Sequence, residues 1–292
     1  MRTSSIRKAV INITRLLSTS VVPEHYGRGG ELLNTILKEL RKIGTLDKIT
    51  IDDLAPMDEF HVGGREATKD FLERLDIFEK HRVLDVGSGI AGPARFVASH
   101  FGCKVTGIDL TPEFISCGKE LTRMVGLENK VELVEGSALD LTATFSGTDQ
   151  LFDRAYMLHV GMNIEDKPLL LSEIAAILRP GGMLGIYDVM KYGKNATQDL
   201  DFPVPWARTA DANFIASPEE YRNAIKLAGL KLISERNRLE FAMEFFSKLK
   251  KKQNTSAIGL HLIMDDFPQK MGNMIVNLNR GRISPIEMIA VK

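Results

Sequence analysis

Apolar positions along the chain switch between two periods, and the switches outline its architecture. Leu32, Leu33, Ile36, Leu37 and Leu40 recur at helical spacing, which predicts an amphipathic helix over 25–43 that Gly44 stops. Residues 49–56 carry no such period and read as a connector. A second amphipathic helix is expected over 68–75, entered through Gly63 and Gly64. From Arg82 onward short apolar runs alternate with helical stretches. Strands are expected at 82–86, 104–108, 131–134, 152–158 and 183–189, with helices at 93–101, 112–125 and 165–178. Such alternation predicts a parallel sheet covered on both faces.

The pattern breaks at 191–216. This stretch holds Phe202-Pro203-Val204-Pro205-Trp206, whose prolines cannot sit inside a regular ladder. Its aromatic content suits a folded cover better than a linker. Ser217 and Pro218 then open a helix, as N-cap and first-turn residue. A strand follows over 231–239. Residues 241–280 read as mostly helical, an insertion of about one helical hairpin. A last strand is expected over 284–291. The fold class is therefore α/β, with a seven-stranded, mostly parallel sheet, N-terminal helices and a helical insertion before the last strand.

Composition refines this outline without redirecting it. The 292 residues are 44% hydrophobic and 26% charged, enough to bury one large core with additions. The expected division is a helical lid over 24–80, a ligand-binding core over 81–190, and a cover with the C-terminal strands over 191–292. Lys plus Arg and Asp plus Glu each number 38, so no basic excess points to nucleic acid. Cys103 and Cys117 make neither a disulfide framework nor a zinc pattern. No His/Asp/Glu cluster has metal-ligand spacing, and no run reaches the ~18 apolar residues of a transmembrane segment. Residues 1–23 differ from the rest: Arg2, Arg7, Lys8 and Arg15 stand among serines and threonines, with no acid before Glu24. That is the composition of a mitochondrial transit segment, and Arg15-Leu16-Leu17-Ser18 resembles a processing site. A mitochondrial location is expected, with a cytoplasmic one as the alternative.

The chemistry gathers at Val83-Leu84-Asp85-Val86-Gly87-Ser88-Gly89-Ile90-Ala91-Gly92. An apolar strand ends in a carboxylate and a glycine-rich turn, and the next strand ends on Asp109. In open α/β sheets the ligand lies off these strand ends. Gly87, Gly89 and Gly92 match G-x-G-x-x-G, with an acid 20 residues beyond Gly89 to hold ribose hydroxyls. Asp85, two residues before the first glycine, points away from a pyrophosphate ligand, whose charge it would repel. It suits a ligand with a cationic amino group.

With these motifs the chain resembles the class I S-adenosylmethionine (AdoMet) methyltransferases, strongly over 58–189. The resemblance implies a Rossmann-like sheet and AdoMet as cofactor. It assigns the glycine-rich motif to Asp85, Gly87 and Gly89. It gives Asp109, with Leu110 beside it, to the ribose, and Ser137 and Ala138 to the adenine. Many relatives carry an aspartate at the Ser137 position, so this residue departs from the pattern. Leu178-Arg179-Pro180-Gly181-Gly182 before the fifth strand is a further landmark.

Two stretches narrow the resemblance to the small-molecule N-methyltransferases of the phosphoethanolamine and sarcosine/dimethylglycine group. One is Asp58-Glu59-Phe60-His61-Val62-Gly63-Gly64 followed by Ala67-Thr68, which folds over the methionine end of AdoMet in that group. It makes His61 and Gly63 cofactor contacts. The other is Leu158-His159-Val160-Gly161-Met162-Asn163-Ile164, whose histidine faces the transferred methyl, so His159 is the candidate catalytic residue. In the phosphoethanolamine enzymes this histidine pairs with a tyrosine from an N-terminal helix. No tyrosine lies between Tyr26 and Phe60, which leaves Tyr26 or Tyr156 as replacements.

Tyr156, Trp206 and Arg208 are candidate acceptor contacts. Aromatic faces attract methylated ammonium groups, and arginine grips carboxylate or phosphate. The expected reaction is methyl transfer to a small amine of the glycine–betaine type. Alternatives are a quinone or lipid-like acceptor, or a non-catalytic AdoMet-fold assembly factor. A homodimer is possible under any of them.

Overall fold

A computed structural model of the chain describes residues 31–42, 44, 48–147, 151–251 and 259–292. The expected transit segment lies outside these residues. Seven strands form one sheet: β1 (Arg82–Val86), β2 (Lys104–Asp109), β3 (Val131–Glu135), β4 (Phe152–Leu158), β5 (Leu178–Lys191), β6 (Lys231–Asn237) and β7 (Ile283–Val291). Their order is β3-β2-β1-β4-β5-β7-β6, and β7 alone runs antiparallel to its neighbours β5 and β6. The chain leaves β1 toward β2 on one side and reaches β4 on the other. That reversal opens a crevice at the C-terminal ends of β1 and β4.

The sheet is covered on both faces. On one face Leu84, Val86, Ala155 and Met157 pack against helices α6 (Lys167–Ile177) and α7 (Pro218–Leu227). On the other, Val83, Val105 and Tyr156 pack against α3 (Gly64–Leu72) and α4 (Gly92–Phe101). The alternation of side chains along a strand assigns each residue to its face. Helix α5 (Pro112–Met124) closes the β2–β3 crossover.

The lid is more ordered than its sequence suggests. Helix α1 (Leu32–Lys42) buries Leu32, Ile36 and Leu40, the expected stripe. Residues 49–56 are not a connector, because Ile51–Asp58 forms helix α2. A capping box starts it: Asp53 N–H donates to Thr50 Oγ1, and Thr50 N–H donates to Asp53 Oδ2 at 2.9 Å. Leu54 and Met57 are buried, and that packing carries Pro56 within the helix. Helix α3 starts at Gly64, four residues earlier than expected, because Gly63 takes the left-handed conformation (φ +92°) needed for the entry.

Arg95 of α4 locks the lid to the core. Its guanidinium, fully buried, meets Asp58 at 2.8 Å and donates to Thr122 Oγ1 at 3.2 Å. The cover is stitched down as well. Asn277 exchanges two hydrogen bonds of 3.0 Å with the backbone of Asp201, and Arg280 and Arg282 both pair with the Asp201 carboxylate. The insertion forms helices α8 (Leu239–Lys251) and α9 (Phe267–Asn279). Among the described residues no helix is long and apolar enough to cross a membrane.

Candidate active site

A cavity of about 1350 Å³ lies over the crevice at the ends of β1, β2 and β4, beneath the lid and the cover. Its two halves differ in chemistry. One is polar and built on the glycine turn, and the other is apolar and built from the cover and the insertion.

The glycine turn is the floor of the polar half. Gly87 and Ser88 donate to the carbonyl of Ile108 at 2.8 and 3.0 Å, which binds the turn to β2. Gly87 holds φ +71°, and a Cβ there would lie 2.5 Å from Val160 Cγ2. A Cβ at Gly89 (φ +52°) would press on the Phe60 ring at 3.2 Å. Bare backbone is therefore required at both. Gly92 has a different task. It is absent from the cavity wall, and a Cβ there would collide with the Asp58 carbonyl, so this glycine lets α4 approach α2.

Asp109 stands at the wall. Its Oδ2 accepts from Gly89 N–H at 2.8 Å and its Oδ1 from Thr111 N–H at 2.9 Å. Each oxygen keeps lone pairs for further donors. Burial raises its pKa, while the Thr111 and Gly89 N–H groups pull it back. Such a carboxylate is prepared for a pair of ribose hydroxyls. Leu110, Ser137 and Ala138 line the same half. Ser137 Oγ accepts from Leu139 N–H at 3.2 Å.

Asp85 is placed differently from the expectation of direct contact. It is 2% exposed and lies outside the cavity lining, with its Oδ2 lacking a partner. It pairs in register with Tyr156 on the face packed by α3 and α4. Burial pushes its pKa up to about 8, against the lowering influence of the Tyr156 hydroxyl. Asp85 is thus a buried carboxyl beneath the turn that holds its proton at neutral pH.

Two histidines look across the cavity. His61 sits in the lid, its Nε2 2.9 Å from Thr68 Oγ1, and Thr68 donates to Glu59 Oε2 at 2.6 Å. Arg65 completes this network on Glu59 Oε1. Burial drives the His61 pKa down to about 4. His159 follows β4 in a left-handed conformation (φ +56°), with its backbone N–H on the Tyr187 carbonyl at 2.7 Å. Its Nε2 is buried and has no partner. Burial, and then His61, hold its pKa well below 6.5. Both rings are therefore neutral near pH 7. Tyr187 donates to the Val62 carbonyl at 3.1 Å and so ties the lid to β5.

The apolar half is walled by Trp206, Phe214, Met243, Phe246, Met271 and Met274. Trp206 lies on this wall, with its Nε1–H donated to Asn213 Oδ1 at 2.7 Å. The other two expected acceptor contacts lie elsewhere. Tyr156 is fully buried beside Asp85, because strand alternation turns it to the face covered by helices. Arg208 is half exposed and outside the wall, paired with Asp266 at 3.2 Å. Glu59, Thr68 and Tyr187 organise the site without having been singled out in the sequence. Glu59 and Thr68 were signalled only as neighbours of His61, and Tyr187 only as a position on the fifth strand. No cluster of metal-ligating side chains occurs among the described residues.

The residues present fit AdoMet. Asp109 would hold the ribose, the bare turn at Gly87 and Gly89 would admit the ligand against backbone, and Ser137 and Ala138 would flank the adenine. The His61 lid would close over the other end.

Comparison with known proteins agrees. A methyltransferase-domain family model matches residues 84–186. Methyltransferase GfsG of Streptomyces halstedii is 28% identical over 213 residues, 73% of this chain and 73% of that protein. Phosphoethanolamine N-methyltransferase 1 of Zea mays is 31% identical over 215 residues, which is 74% of this chain but only 40% of that protein. Among solved structures, phosphoethanolamine N-methyltransferase 2 of Haemonchus contortus superposes with a TM-score of 0.65 at 18% identity, over 87% of this chain and 59% of that one. The domain match, the sheet order and the cavity floor converge: residues 84–186 match a methyltransferase domain, and the sheet has the fold of the class I AdoMet-dependent methyltransferases.

Proposed function

We propose that this enzyme methylates a hydroxyl on an extended, lipid-like ring, a quinol or related phenol, rather than a small zwitterionic amine. The observation that carries this reading is the apolar half of the cavity, where Trp206, Phe214, Met243, Phe246, Met271 and Met274 face the ligand. Such a wall rewards burial of an apolar body by roughly 25 cal/mol per Å². The candidate acceptor arginine Arg208 is engaged with Asp266, and Arg65, the arginine on the cavity wall, is engaged with Glu59.

When bound, AdoMet supplies a methyl group on a positively charged sulfur that needs no further activation. The protein's part is alignment and exclusion of water. Phe60 and His61 roof the polar half, and the cover encloses the acceptor. His159 lines the cavity, and its neutral Nε2 is buried without a partner. A hydroxyl donates its proton to that nitrogen and still keeps a lone pair for attack. Methyl transfer to the oxygen would break the methyl–sulfur bond and leave the sulfur neutral; the O–H would become acidic, and Nε2 would take the proton. An ammonium has no lone pair until it loses a proton, and a histidine held well below 6.5 does not take it from a group near ~10.

The amine reading is supported by the 31% identity to the maize phosphoethanolamine enzyme. Incubation with methyl-labelled AdoMet and two panels separates the readings. One panel holds alkylated or prenylated quinols and phenols; the other holds glycine, sarcosine and phosphoethanolamine. Label in the solvent-extractable ring compounds is expected, and label confined to the water-soluble amines overturns the proposal. The acid-free, basic composition of residues 1–23 supports a mitochondrial site of action, which fractionation of cells carrying the tagged full chain tests.

A further inference from the structure

His159 adopts a backbone conformation that residues with side chains seldom take. Such a conformation persists only where the surroundings over-determine it. Behind the 159–164 loop, away from the cavity, lies a buried polar cluster that methyl transfer itself does not use. Asp188, next to Tyr187 on β5, is fully buried. Its Oδ2 accepts the Tyr221 hydroxyl at 2.6 Å. The N–H groups of Gly161 and Val160 lie close enough to stabilise its charge, although its Oδ1 has no partner in good hydrogen-bond geometry. Gly161 leaves no room for a Cβ, which would strike Tyr221 Oη and Asp188 Oδ2.

Lys167, at the start of α6, closes the cluster. Its side chain turns inward, and its Nζ donates to the carbonyls of Ile164 and Phe214, the latter at 2.7 Å. The same ammonium sits 5.8 Å from the Tyr221 ring centre. Phe214 also donates its N–H to the Met162 carbonyl at 3.2 Å. The loop that carries His159 is therefore held at its start by Asp188 and at its end by Lys167, and Lys167 joins it to a wall residue of the apolar half. A buried lysine spent on two backbone carbonyls and a buried aspartate spent on a tyrosine are costly for a purely apolar support, which a leucine or methionine would supply.

We infer that Asp188, Tyr221 and Lys167 are positioning residues that clamp the 159–164 loop to β5 and so aim the His159 ring into the cavity. The inference rests on the reading of His159 as the group facing the acceptor. Its test is chosen to work without any acceptor.

The full chain, labelled with ¹⁵N-histidine, is titrated and followed by imidazole NMR, with S-adenosylhomocysteine as the probe ligand. His159→Gln identifies the His159 signal among the six histidines. In Tyr221→Phe and Lys167→Met the His159 ring nitrogens shift, and the ring titrates closer to 6.5 as water reaches it. The His81 and His100 signals stay in place, and S-adenosylhomocysteine affinity changes by less than about threefold. A fall in unfolding temperature with the His159 signal and its titration unmoved would reduce the cluster to packing and overturn the inference. Tyr221→Phe removes a single oxygen and keeps the test decisive if Lys167→Met does not fold. Where an acceptor is in hand, Tyr221→Phe lowers turnover in the parent enzyme but adds nothing to His159→Ala; an equal loss in both backgrounds also overturns it. Failure of every acceptor panel would remove the proposed reaction and leave the NMR result standing.

Discussion

The rings of His61 and His159 stand 5.9 Å apart, edge to face at 68°, and the Tyr187 ring lies 6.0 Å from the first and 5.0 Å from the second. Two neutral imidazoles thus meet where the lid closes on the sheet, in unequal situations. His61 is bound to Thr68, whereas His159 keeps its Nε2 bare. One is built into the lid, and the other lines the cavity with its hydrogen-bonding capacity unused. His159→Ala is expected to lower turnover by the ~10²–10⁴ typical of an acid–base group, with AdoMet affinity nearly unchanged. Equilibrium binding beside steady-state kinetics checks this, and an unaltered rate assigns His159 to structure alone.

Asp109→Ala is expected to weaken AdoMet binding by at least ~10-fold, because charge-assisted hydrogen bonds contribute about 1.5–3 kcal/mol each. The two N–H groups it now accepts, from Gly89 and Thr111, would lose their partner as well. Calorimetry with S-adenosylhomocysteine measures the loss. Undiminished affinity refutes the ribose assignment.

Asp85 predicts a pH effect whose sign can be worked out. Its pKa in the folded, ligand-free protein is raised to about 8, above the ordinary 3.8. The native state therefore binds the extra proton between these values, and this group's contribution to stability falls as pH rises from about 4 to about 8. Asp85→Asn mimics the protonated form. Its unfolding temperature should exceed the parent's by an amount that is small near pH 4 and grows steadily toward pH 8. Parallel pH profiles for the two proteins would contradict burial as the cause.

Gly87 and Gly126 form a matched pair for testing the turn. Both hold φ near +70°, but Gly126 has open space where a Cβ would go, whereas Gly87 faces Val160 at 2.5 Å. Gly126→Ala should cost about 1 kcal/mol, from backbone conformation alone. Gly87→Ala should cost more and also abolish AdoMet binding. Thermal denaturation and ligand titration of the two variants decide the point.

Trp206 is the only tryptophan in the chain, and it lines the apolar half. Its fluorescence is a built-in reporter. A prenylated phenol should shift or quench the emission in a saturable way, while glycine and phosphoethanolamine should not. The reverse pattern would favour the amine reading.

Much of the fold was legible because it rests on local patterns. Leu32, Ile36 and Leu40 announced their helix through spacing, and Val83, Leu84 and Val86 of β1 announced a strand buried on both faces. Helix α2 was missed because its stripe is short and contains Pro56, while a capping box and burial against α1 and α5 override that proline. Asp109, Gly87, Gly89, Ser137 and His159 line the cavity as the motifs implied. Asp85 and Tyr156 do not, since one strand register sends both to the same helix-covered face.

The sequence by itself determined the alternating α/β order, the glycine turn and the acid at the end of β2, because periodicity and backbone freedom are properties of neighbouring residues. Tertiary structure alone decided what those groups face. It buried Asp85, turned Arg208 to Asp266, left His159 Nε2 without a partner, and set a wall of methionine and aromatic side chains opposite the cofactor floor. The physical reason is that solvation, pairing and burial depend on which distant segments meet. Residues 158–164, 187–188, 206–221, 243–250 and 259–275 come together at this site only when the sheet, cover and insertion close around it.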